Sequence, residues 1–325
     1  MSKKVSIKIK PQYIEYSDTM YKNFKLHKLQ ETFYKYDELS EINIIVAPTG
    51  TGKTFSFVLP IINKKNEKWT FRGLIVSPTN ALIEDIKENI KKRFPEIMVG
   101  EINSVVLDKF NVKGPERFRT ILKITNENDI IITNPDIINF IIYGGYNYYD
   151  RIREFPEIFE KFNFIVYDEY HLYDEEQIAN ILTLILLRKF LTPKEIKFIF
   201  TSATPEKGLE DFLRERNIPY FKYEEKISKR GRKIHGEINL KFIREDILQF
   251  IPENKDFIYN YIKNNKKVLI IFDTLRKLKE FKESNFFPEL KMVELSGYTT
   301  KQETEVKTQD CQIILGTNKI EVGVN

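Results

Sequence analysis

The sequence feature that constrains the fold most is an apolar run that ends in a glycine-rich turn carrying a lysine and a threonine. It reads Ile44-Ile45-Val46-Ala47-Pro48-Thr49-Gly50-Thr51-Gly52-Lys53-Thr54. Glycines allow backbone N–H groups to converge on phosphate oxygens, the lysine can reach the β and γ phosphates, and the threonine hydroxyl can bind Mg2+. The stretch therefore predicts a buried strand, a phosphate-binding loop and a helix, in that order.

Composition sets the class of protein around this loop. The chain has 325 residues, of which 42% are hydrophobic, which is enough for a sizeable core and for two domains. Lysines and arginines (52) outnumber aspartates and glutamates (47), giving a formal net charge of +5. A mild excess of this kind suits a polyanionic partner, and it would suit a surface-charged thermophilic protein equally well.

Rare residues exclude several kinds of site. The single cysteine, Cys311, excludes a disulfide framework and a cysteine-rich zinc site, and we expect it to be a small buried residue in a cytoplasmic protein. The three histidines form no His-Asp pair, which excludes a metal-dependent nuclease of that type.

No stretch of the sequence resembles a signal peptide or a membrane span. Residues 178–191 are too short to span a membrane and contain polar side chains, so we expect a buried helix there.

Short apolar runs alternate with amphipathic stretches along most of the chain. Strands are expected at residues 42–47, 73–77, 129–133, 164–168 and 197–202, and helices at 53–63 and before Pro95. This alternation is typical of an α/β fold with a parallel sheet flanked by helices. The last three of these strands each end in a polar cluster, and ligands of open α/β sheets bind at that edge.

The pattern divides the chain into two α/β domains. After a polar lead-in at residues 1–23, the first domain is expected at 24–225, followed by a basic linker at 226–237. The alternation then restarts, with a helix at 255–264 and strands at 268–272, 292–295 and 312–316. Residues 238–325 are therefore expected to form an incomplete second domain.

Two segments leave alternatives open. Residues 143–149 interleave tyrosines with glycines, which fits the stacking of nucleic-acid bases but also a surface turn packed by its own tyrosines, and we favour the turn. The basic run at residues 226–233 is expected in or beside the linker, with or without contact to a phosphate backbone.

A phosphate-binding loop needs a carboxylate on a neighbouring strand to hold Mg2+ and a base to align the attacking water. Both follow an apolar strand in the segment Phe164-Ile165-Val166-Tyr167-Asp168-Glu169-Tyr170-His171. We expect Asp168 to bind the metal ion and Glu169 to orient or deprotonate water beside the γ-phosphate. An isolated Asp-Glu pair is an ordinary surface feature, but this one follows a buried strand in a chain that also carries the loop.

In order and spacing, these motifs resemble superfamily two helicases. Residues 47–54, Asp168-Glu169-Tyr170-His171 and Thr201-Ser202-Ala203-Thr204 are similar to motifs I, II and III of that superfamily. The resemblance spans about residues 24–325 and implies a RecA-like motor domain followed by a partial second one. It also implies ATP and Mg2+ as cofactors, nucleic acid as partner with single-stranded DNA favoured over RNA, and Lys53, Asp168 and Glu169 as catalytic residues.

The resemblance extends to weaker motifs. Residues 77–82 and 133–136 resemble motifs Ia and Ib, which contact the nucleic-acid backbone through hydroxyls and helix N-termini, and residues 271–274 and 316–325 resemble motifs IV and V. Asn80 stands where a basic residue is frequent in the superfamily, and Asn325 stands where an aspartate is usual. The implied site residues are Pro78, Thr79, Thr133, Pro135, Thr274 and Thr317 for nucleic acid, Ser202 and Thr204 for coupling, Thr54 and Asp168 for the metal, and Gln30 and Gly323 for the nucleotide.

For several of these residues a second interpretation stays open. Gln30 is expected either to contact the adenine edge or to be an exposed helix residue without a ligand. The positions that resemble motifs IV and V in the second domain are expected to contact ligands. The alternative is that they are strand ends and a glycine turn without any contact to a ligand.

A narrower resemblance rests on two short stretches. Residues 168–179 and 321–324 resemble the CRISPR-associated helicase subunit of type I interference, in the subtype D form without a nuclease domain of its own. This implies a DNA-stimulated ATPase that moves 3′ to 5′ on single-stranded DNA after recruitment to a guide-RNA surveillance complex, alongside a separate nuclease. The alternative within the superfamily is a general DNA or RNA helicase unrelated to CRISPR.

Motif VI of such motors, which supplies an arginine finger, has no counterpart up to Asn325. Arginines of this kind contribute on the order of 10³ to 10⁵ to the rate of phosphoryl transfer. The chain is therefore expected to be either a piece of a longer protein or a nucleotide-gated nucleic-acid-binding module with little turnover.

Overall fold

A computed structural model describes residues 5–64, 71–146, 156–191, 193–205, 207–294 and 310–317, without the side chains of 187–191. The chain divides into two compact units. The first unit is Lys10–Gly236, and the second unit consists of Met1–Ile9 together with Glu237–Asn325.

The elements are numbered in chain order. The described strands are β1 (Val5–Ile9), β2 (Gln12–Ile14), β3 (Tyr16–Tyr21), β4 (Phe24–His27), β5 (Ile42–Val46), β6 (Gly73–Val76), β7 (Val99–Ile102), β8 (Ile130–Thr133), β9 (Phe164–Tyr167), β10 (Lys197–Ser202), β11 (Phe221–Glu224), β12 (Ile227–Ser228), β13 (Arg232–His235), β14 (Ile238–Phe242), β15 (Val268–Phe272), β16 (Met292–Glu294) and β17 (Ile313–Thr317). The described α-helices are α1 (Lys28–Tyr34), α2 (Lys53–Lys64), α3 (Asn80–Arg93), α4 (Ser104–Asp108), α5 (Pro115–Asn126), α6 (Pro135–Ile142), α7 (Glu175–Leu191), α8 (Lys207–Glu215), α9 (Ile247–Glu253), α10 (Lys255–Lys263) and α11 (Leu275–Glu283). Short 3-10 helices lie at Tyr36–Glu38 and Tyr170–Leu172.

A seven-stranded parallel sheet forms the centre of the first unit. Its strand order is β11-β5-β10-β9-β6-β8-β7, and every neighbouring pair is parallel. Strands β5, β6, β8, β9 and β10 are buried along their whole length, as expected when helices cover both faces of a parallel sheet. The five predicted strands of this domain are confirmed to within one residue at each end, and so is the α/β class.

The two faces of this sheet carry separate apolar clusters. Ile44 packs in one cluster and Ile45 in the other, because successive side chains of a strand point to opposite faces. The sheet is therefore a rigid platform, and the residues that follow its strands are brought to one edge.

Short antiparallel strands are added to the first unit. Strand β2 pairs with both β12 and β13, and β3 pairs with β4. The linker predicted at 226–237 is thereby corrected, because 227–228 and 232–235 are strands of the first unit. The lead-in predicted at 1–23 is also divided between the units, since β1 lies in the second and β2 in the first. These strands are only two to six residues long, and β12 and β13 lie in a basic run, so the sequence shows no apolar pattern long enough to indicate them.

The second unit contains a small parallel sheet of order β15-β17-β16 and an antiparallel pair of β1 with β14. Its core includes Phe272, Phe281 and Phe287. The predicted strands at 268–272 and 312–316 are confirmed to within one residue, and Cys311 is buried as predicted. Across the described residues, every helix is too short or too polar to cross a lipid bilayer.

Gly73 provides a test of how the sheet is packed. A Cβ atom at this position would lie 2.3 Å from Cζ of Phe164, which is itself fully buried. We expect Gly73→Ala to lower the free energy of unfolding by about 1–3 kcal/mol, because neither the strand nor the ring can move without disturbing the core. The matched control is Gly236→Ala, whose new Cβ would lie 3.7 Å from the flexible Lys233 Nζ. Equal stabilities of the two variants in urea unfolding would contradict this packing.

Candidate active site

The predicted phosphate-binding loop joins β5 to α2. Ala47 N donates to Ser202 O at 2.9 Å, which fastens the start of the loop to β10. Gly50 and Gly52 have φ angles of +79° and +88°, in the left-handed region that glycine tolerates and other residues disfavour. The Thr51 hydroxyl donates to Pro48 O at 2.8 Å and closes the turn. The sequence of strand, loop and helix is confirmed, and the N–H groups of the first turn of α2 begin at Lys53.

Lys53 reaches from the loop to the end of the next-but-one strand. Its Nζ lies 2.5 Å from Glu169 Oε1 and 3.3 Å from Ala47 O. The two charged side chains are only 10% and 16% exposed. At this depth an unpaired charge would be costly, so the lysine and the glutamate hold each other in place.

Asp168 follows β9 and is buried. Its N–H donates to Val76 O at 2.8 Å, and its Oδ1 accepts a hydrogen bond from Thr201 Oγ1 at 2.6 Å. Burial raises the pKa of the Asp168 carboxyl to about 6, and the positive charge of Lys53 opposes part of that rise. The carboxylate is therefore fixed in direction and poorly solvated. Both properties suit an oxygen ligand of a metal cation.

Glu169 has a left-handed backbone, with φ 49° and ψ 43°. A non-glycine residue in this conformation costs about 1–3 kcal/mol and persists where the surrounding structure requires it. The turn it produces ends β9 and starts the 3-10 helix Tyr170–Leu172. This turn gives adjacent residues different directions, so that Asp168 contacts Thr201 while Glu169 contacts Lys53.

A polar chain connects Glu169 with the segment after β10. Glu169 Oε2 lies 3.5 Å from His171 Nδ1, and the same nitrogen lies 2.9 Å from Ser202 Oγ. The Ser202 hydroxyl also donates to Thr204 O at 2.7 Å and accepts from Thr204 N at 3.2 Å. The predicted pair Ser202 and Thr204 is thus brought to the site through His171.

Thr201 and His171 were quoted in the motifs but were not predicted as site residues. Thr201 Oγ1 is the group that contacts Asp168, and His171 is the group that joins Glu169 to Ser202. The sequence contains a signal for Thr201. Successive side chains of a strand face opposite sides of the sheet, so Thr201 faces the side opposite to Ser202 and contacts a different partner.

Gln30 lies on α1 and is buried. Its Oε1 accepts a hydrogen bond from His27 N at 3.0 Å, and its Nε2 lies 3.0 Å from the point where a Cβ of Gly52 would stand. The alternative of an exposed helix glutamine is therefore wrong. Gln30 packs against the phosphate-binding loop, and its contact with adenine stays a prediction.

The candidate nucleic-acid residues of the first unit lie at the N-termini of α3 and α6. Thr79 caps α3 by accepting from Leu82 N, and Asn134 Nδ2 donates to Asn80 Oδ1 at 3.4 Å, which brings the two helix ends together. Pro78 is partly exposed beside them.

Two predicted nucleic-acid contacts are corrected. The side chain of Thr133 is buried and its hydroxyl donates to Ile102 O at 2.7 Å. Pro135 is buried in the first turn of α6. Both residues serve the fold, because they end a central strand and start the following helix. At this edge Asn80 is exposed, and Thr79 and Asn134 are partly exposed.

The remaining candidates lie elsewhere or outside the described residues. Thr274 caps α11 by accepting from Lys277 N, and Thr317 ends β17, both in the second unit. Gly323 and residues 147–149 lie outside the described residues. In the aromatic segment, Tyr146 is buried 4.5 Å from the Phe140 ring, and the Tyr143 hydroxyl donates to Asn180 Oδ1. These contacts support the favoured interpretation as a turn packed by its own tyrosines.

The raised pKa of Asp168 makes the free energy of unfolding depend on pH. The carboxyl binds its proton more tightly in the folded protein, so its contribution lowers the free energy of unfolding as pH rises from about 4 to about 6 and is constant above that range. A shift of about two pH units corresponds to about 3 kcal/mol at neutral pH. Asp168→Asn keeps an acceptor for Thr201 but carries no charge.

We therefore expect the Asp168→Asn variant to be more stable than the wild type, by an amount that grows between about pH 4.5 and about pH 6.5. Urea unfolding of both proteins in metal-free buffer across this range measures the difference. A stability difference that is the same at every pH would show that Asp168 does not titrate in the assigned range.

Comparisons with known proteins agree with this site. A model of the DEAD/DEAH box helicase family matches residues 29–212, more than half of the chain. Among curated relatives, the uncharacterized ATP-dependent helicase YprA of Bacillus subtilis (strain 168) is 27% identical over 118 residues, which are 36% of this chain and 15% of that protein. The DEAD-box ATP-dependent RNA helicase CshB of Listeria monocytogenes is 33% identical over 95 residues, which are 29% of this chain and 21% of that protein.

Solved structures show the same architecture. The DUF1998 helicase MrfA bound to DNA has a TM-score of 0.71 at 20% identity, over 98% of this chain and 45% of MrfA. The DEAD-box helicase Mss116 bound to ssRNA and UDP-BeF has a TM-score of 0.62 at 18% identity, over 92% of this chain and 62% of Mss116. The matches span less than a quarter of the two curated relatives and less than two thirds of the two solved chains. The seven-stranded parallel sheet is that of RecA-like helicase domains, and the chain belongs to the DEAD/DEAH box helicase family.

Proposed function

We propose that the chain contains the nucleotide-binding domain of an ATP-dependent nucleic-acid helicase or translocase of superfamily two. The observation that supports this most is the convergence of Lys53, Asp168 and Glu169 at one edge of the sheet. They bring together a cation next to a phosphate-binding loop, a buried carboxylate and a carboxylate held by the cation.

The ion pair of Lys53 and Glu169 gives the site a way to respond to ATP. The β and γ phosphates of ATP in the loop would compete with Glu169 for the lysine ammonium group. Glu169 would then be free to accept the proton of an attacking water, which is the role of a general base. The left-handed backbone of Glu169 directs its carboxylate to Lys53 at the loop.

Magnesium fits the donor groups of the site. Asp168 offers a buried carboxylate oriented by Thr201, and Thr54 offers a hydroxyl in the first turn of α2. In the described residues no group of three or more His, Cys, Asp or Glu side chains is arranged to hold a metal ion by itself, and an ion held jointly with ATP phosphates needs only one or two protein carboxylates. When bound, Mg2+ would neutralise charge on the phosphates.

The chain of contacts from Glu169 through His171 to Ser202 supports a coupling role for Ser202 and Thr204. A movement of Glu169 on phosphate binding would change the partner of His171 and so the hydrogen bonds of the Ser202 turn. Nucleic acid would be bound by its backbone at the N-termini of α3 and α6, where helix dipoles and N–H groups favour phosphate. Among the similar structures, MrfA is bound to DNA and Mss116 is bound to ssRNA.

The kind of nucleic acid is tested by ATP hydrolysis with single-stranded DNA or single-stranded RNA of the same sequence and length. We propose DNA as the preferred strand, so the expected result is a larger stimulation by DNA. Equal or larger stimulation by RNA would reject that preference and leave the motor assignment standing.

The narrower proposal is that the motor is the DNA helicase of a type I CRISPR interference system. It is supported by the resemblance of residues 168–179, where Tyr170 is buried and Asp174 caps the start of α7 by accepting from Gln177 N at 2.8 Å. Binding of the protein to a purified guide-RNA surveillance complex loaded with target DNA is the test. DNA-stimulated hydrolysis without such binding would favour a general helicase.

The third proposal is a nucleotide-gated nucleic-acid-binding module with little turnover. It predicts that ATP tightens the binding of a single-stranded oligonucleotide while phosphate release stays slow. Rapid phosphate release that single-stranded DNA stimulates would reject this proposal.

A further inference from the structure

Strand β13 places an arginine against the phosphate-binding loop. Arg232 Nη1 lies 3.4 Å from the point where a Cβ of Gly52 would stand, and Ile234 Cγ2 lies 3.0 Å from the corresponding point of Gly50. The side chains of residues 232 and 234 thus both lie against the loop, although the pairing of β13 with β2 shifts register between Lys233 and His235. The segment predicted as a linker therefore covers the loop from within the first unit.

The backbone pairing of β13 fixes the position of this arginine. Arg232 pairs with Ile14 and Lys233 with Tyr13 in an antiparallel ladder. The preceding turn depends on Gly231, whose φ of +112° suits glycine and whose Cβ would lie 2.0 Å from Ile14 O. The arginine is thus held at the loop by hydrogen bonds of the main chain and not by its own side chain alone.

The partner of the guanidinium group is an uncharged one. Arg232 Nη1 lies 3.2 Å from His27 Nε2. Burial, with a smaller contribution from the Arg232 charge, lowers the pKa of His27 to about 4, so the imidazole is neutral near pH 7 and accepts the hydrogen bond. No carboxylate lies within ion-pair distance of Arg232 among the described side chains.

These contacts leave the exposed Arg232 guanidinium group without a carboxylate partner among the described side chains, directly beside a loop built for an anion. A guanidinium group has donors only and matches phosphate oxygens in its geometry. We propose that Arg232 binds the phosphate groups of the nucleotide held by the loop, as a second cation supplied to this site by strand β13 of the same unit. The proposal rests on the proposed function, because it requires ATP in the loop.

The test is equilibrium binding of ATP with Mg2+ to the full chain and to its Arg232→Ala variant. The loss of one charge-assisted hydrogen bond to phosphate should weaken ATP binding about tenfold. Inorganic tripolyphosphate, which has no base, should lose affinity by a similar factor, whereas adenosine should bind both proteins equally. Arg232→Lys restores a positive charge but not the planar set of N–H donors of the guanidinium group, so it should recover part of the lost affinity.

The matched control is Arg230→Ala, which removes the same charge two residues away. Arg230 is exposed, and its backbone N–H contacts Ser228 Oγ, away from the loop. Equal ATP affinities of the Arg232→Ala and Arg230→Ala variants would overturn the proposal. Tighter binding by Arg232→Ala would also overturn it, because β13 would then obstruct the loop, and an equal loss for adenosine would place the contact on the base.

The outcome for Lys53→Ala separates this proposal from the proposed function. If the wild type binds ATP and Lys53→Ala does not, the site is confirmed, and an unchanged affinity of Arg232→Ala would reject only the role of Arg232. If the wild type does not bind ATP at all, the proposed function itself fails.

Discussion

Replacement of Lys53 by alanine is expected to weaken ATP binding by about a hundredfold or more. The Lys53 ammonium group lies 3.3 Å from the loop carbonyl of Ala47 and 2.5 Å from Glu169 Oε1. Its removal deletes a charge-assisted contact with the phosphates, and it also leaves Glu169, only 16% exposed, as an unpaired negative charge facing them. Both effects act against the nucleotide.

Isothermal titration of ATP with Mg2+ measures this effect. The matched control is Lys92→Ala, which removes a lysine from an exposed position on α3. The far-ultraviolet circular dichroism of both variants reports whether the fold is retained, since the loss of a buried ion-pair partner can destabilise the first unit. A folded Lys53→Ala variant that binds ATP as the wild type does would reject the loop as the nucleotide site.

Glu169→Gln is expected to separate binding from turnover. Glutamine keeps the size of the side chain and an oxygen that can accept from Lys53, so ATP affinity should change little or increase as a negative charge is removed. Hydrolysis should fall by about 10²- to 10⁴-fold, because an amide cannot take the proton of the attacking water.

The control for this prediction is Glu176→Gln, at an exposed position in the first turn of α7. Phosphate release and ATP affinity are measured on the same preparations, so that a loss of rate is not mistaken for a loss of binding. Turnover by Glu169→Gln at the wild-type rate would show that Glu169 is not the general base. His171, or a water molecule held by other groups, would then be the candidate for that role.

The centre of the site could be predicted from the sequence because its signals are local. Lys53 stands in a glycine-rich loop directly after a continuous apolar strand, and Asp168 stands directly after another. In a parallel sheet the carboxyl ends of strands meet at one edge. Two short segments 115 residues apart in sequence could therefore be assigned to one site without any knowledge of strand order, and the contact between Lys53 and Glu169 agrees with that assignment.

The parts that could not be predicted depend on contacts between distant segments. The strands at 227–228 and 232–235 are formed by pairing with β2, more than two hundred residues earlier in the chain. Their sequence is basic and has no apolar alternation, so composition indicated a linker. Arg232 reaches the loop only because of this pairing, and no local pattern signals it.

Burial was the second quantity that the sequence did not reveal. Thr133 and Gln30 were both polar candidates, and both are buried. Thr133 is turned inward because it ends a central strand and hydrogen-bonds to Ile102 O, whereas Gln30 is turned toward the loop because it bonds to His27 N at the start of α1. The same property thus removes one residue from the candidate surface and brings the other into the site.

A crystal structure of the chain with Mg2+ and a non-hydrolysable ATP analogue tests the central claim most directly. We predict that the triphosphate lies on the loop of residues 48–54, that the Lys53 ammonium group has moved from Glu169 to the phosphates, and that the metal ion contacts Asp168 and Thr54. A nucleotide bound elsewhere, or a Lys53–Glu169 pair that is retained with the nucleotide in the loop, would contradict the account.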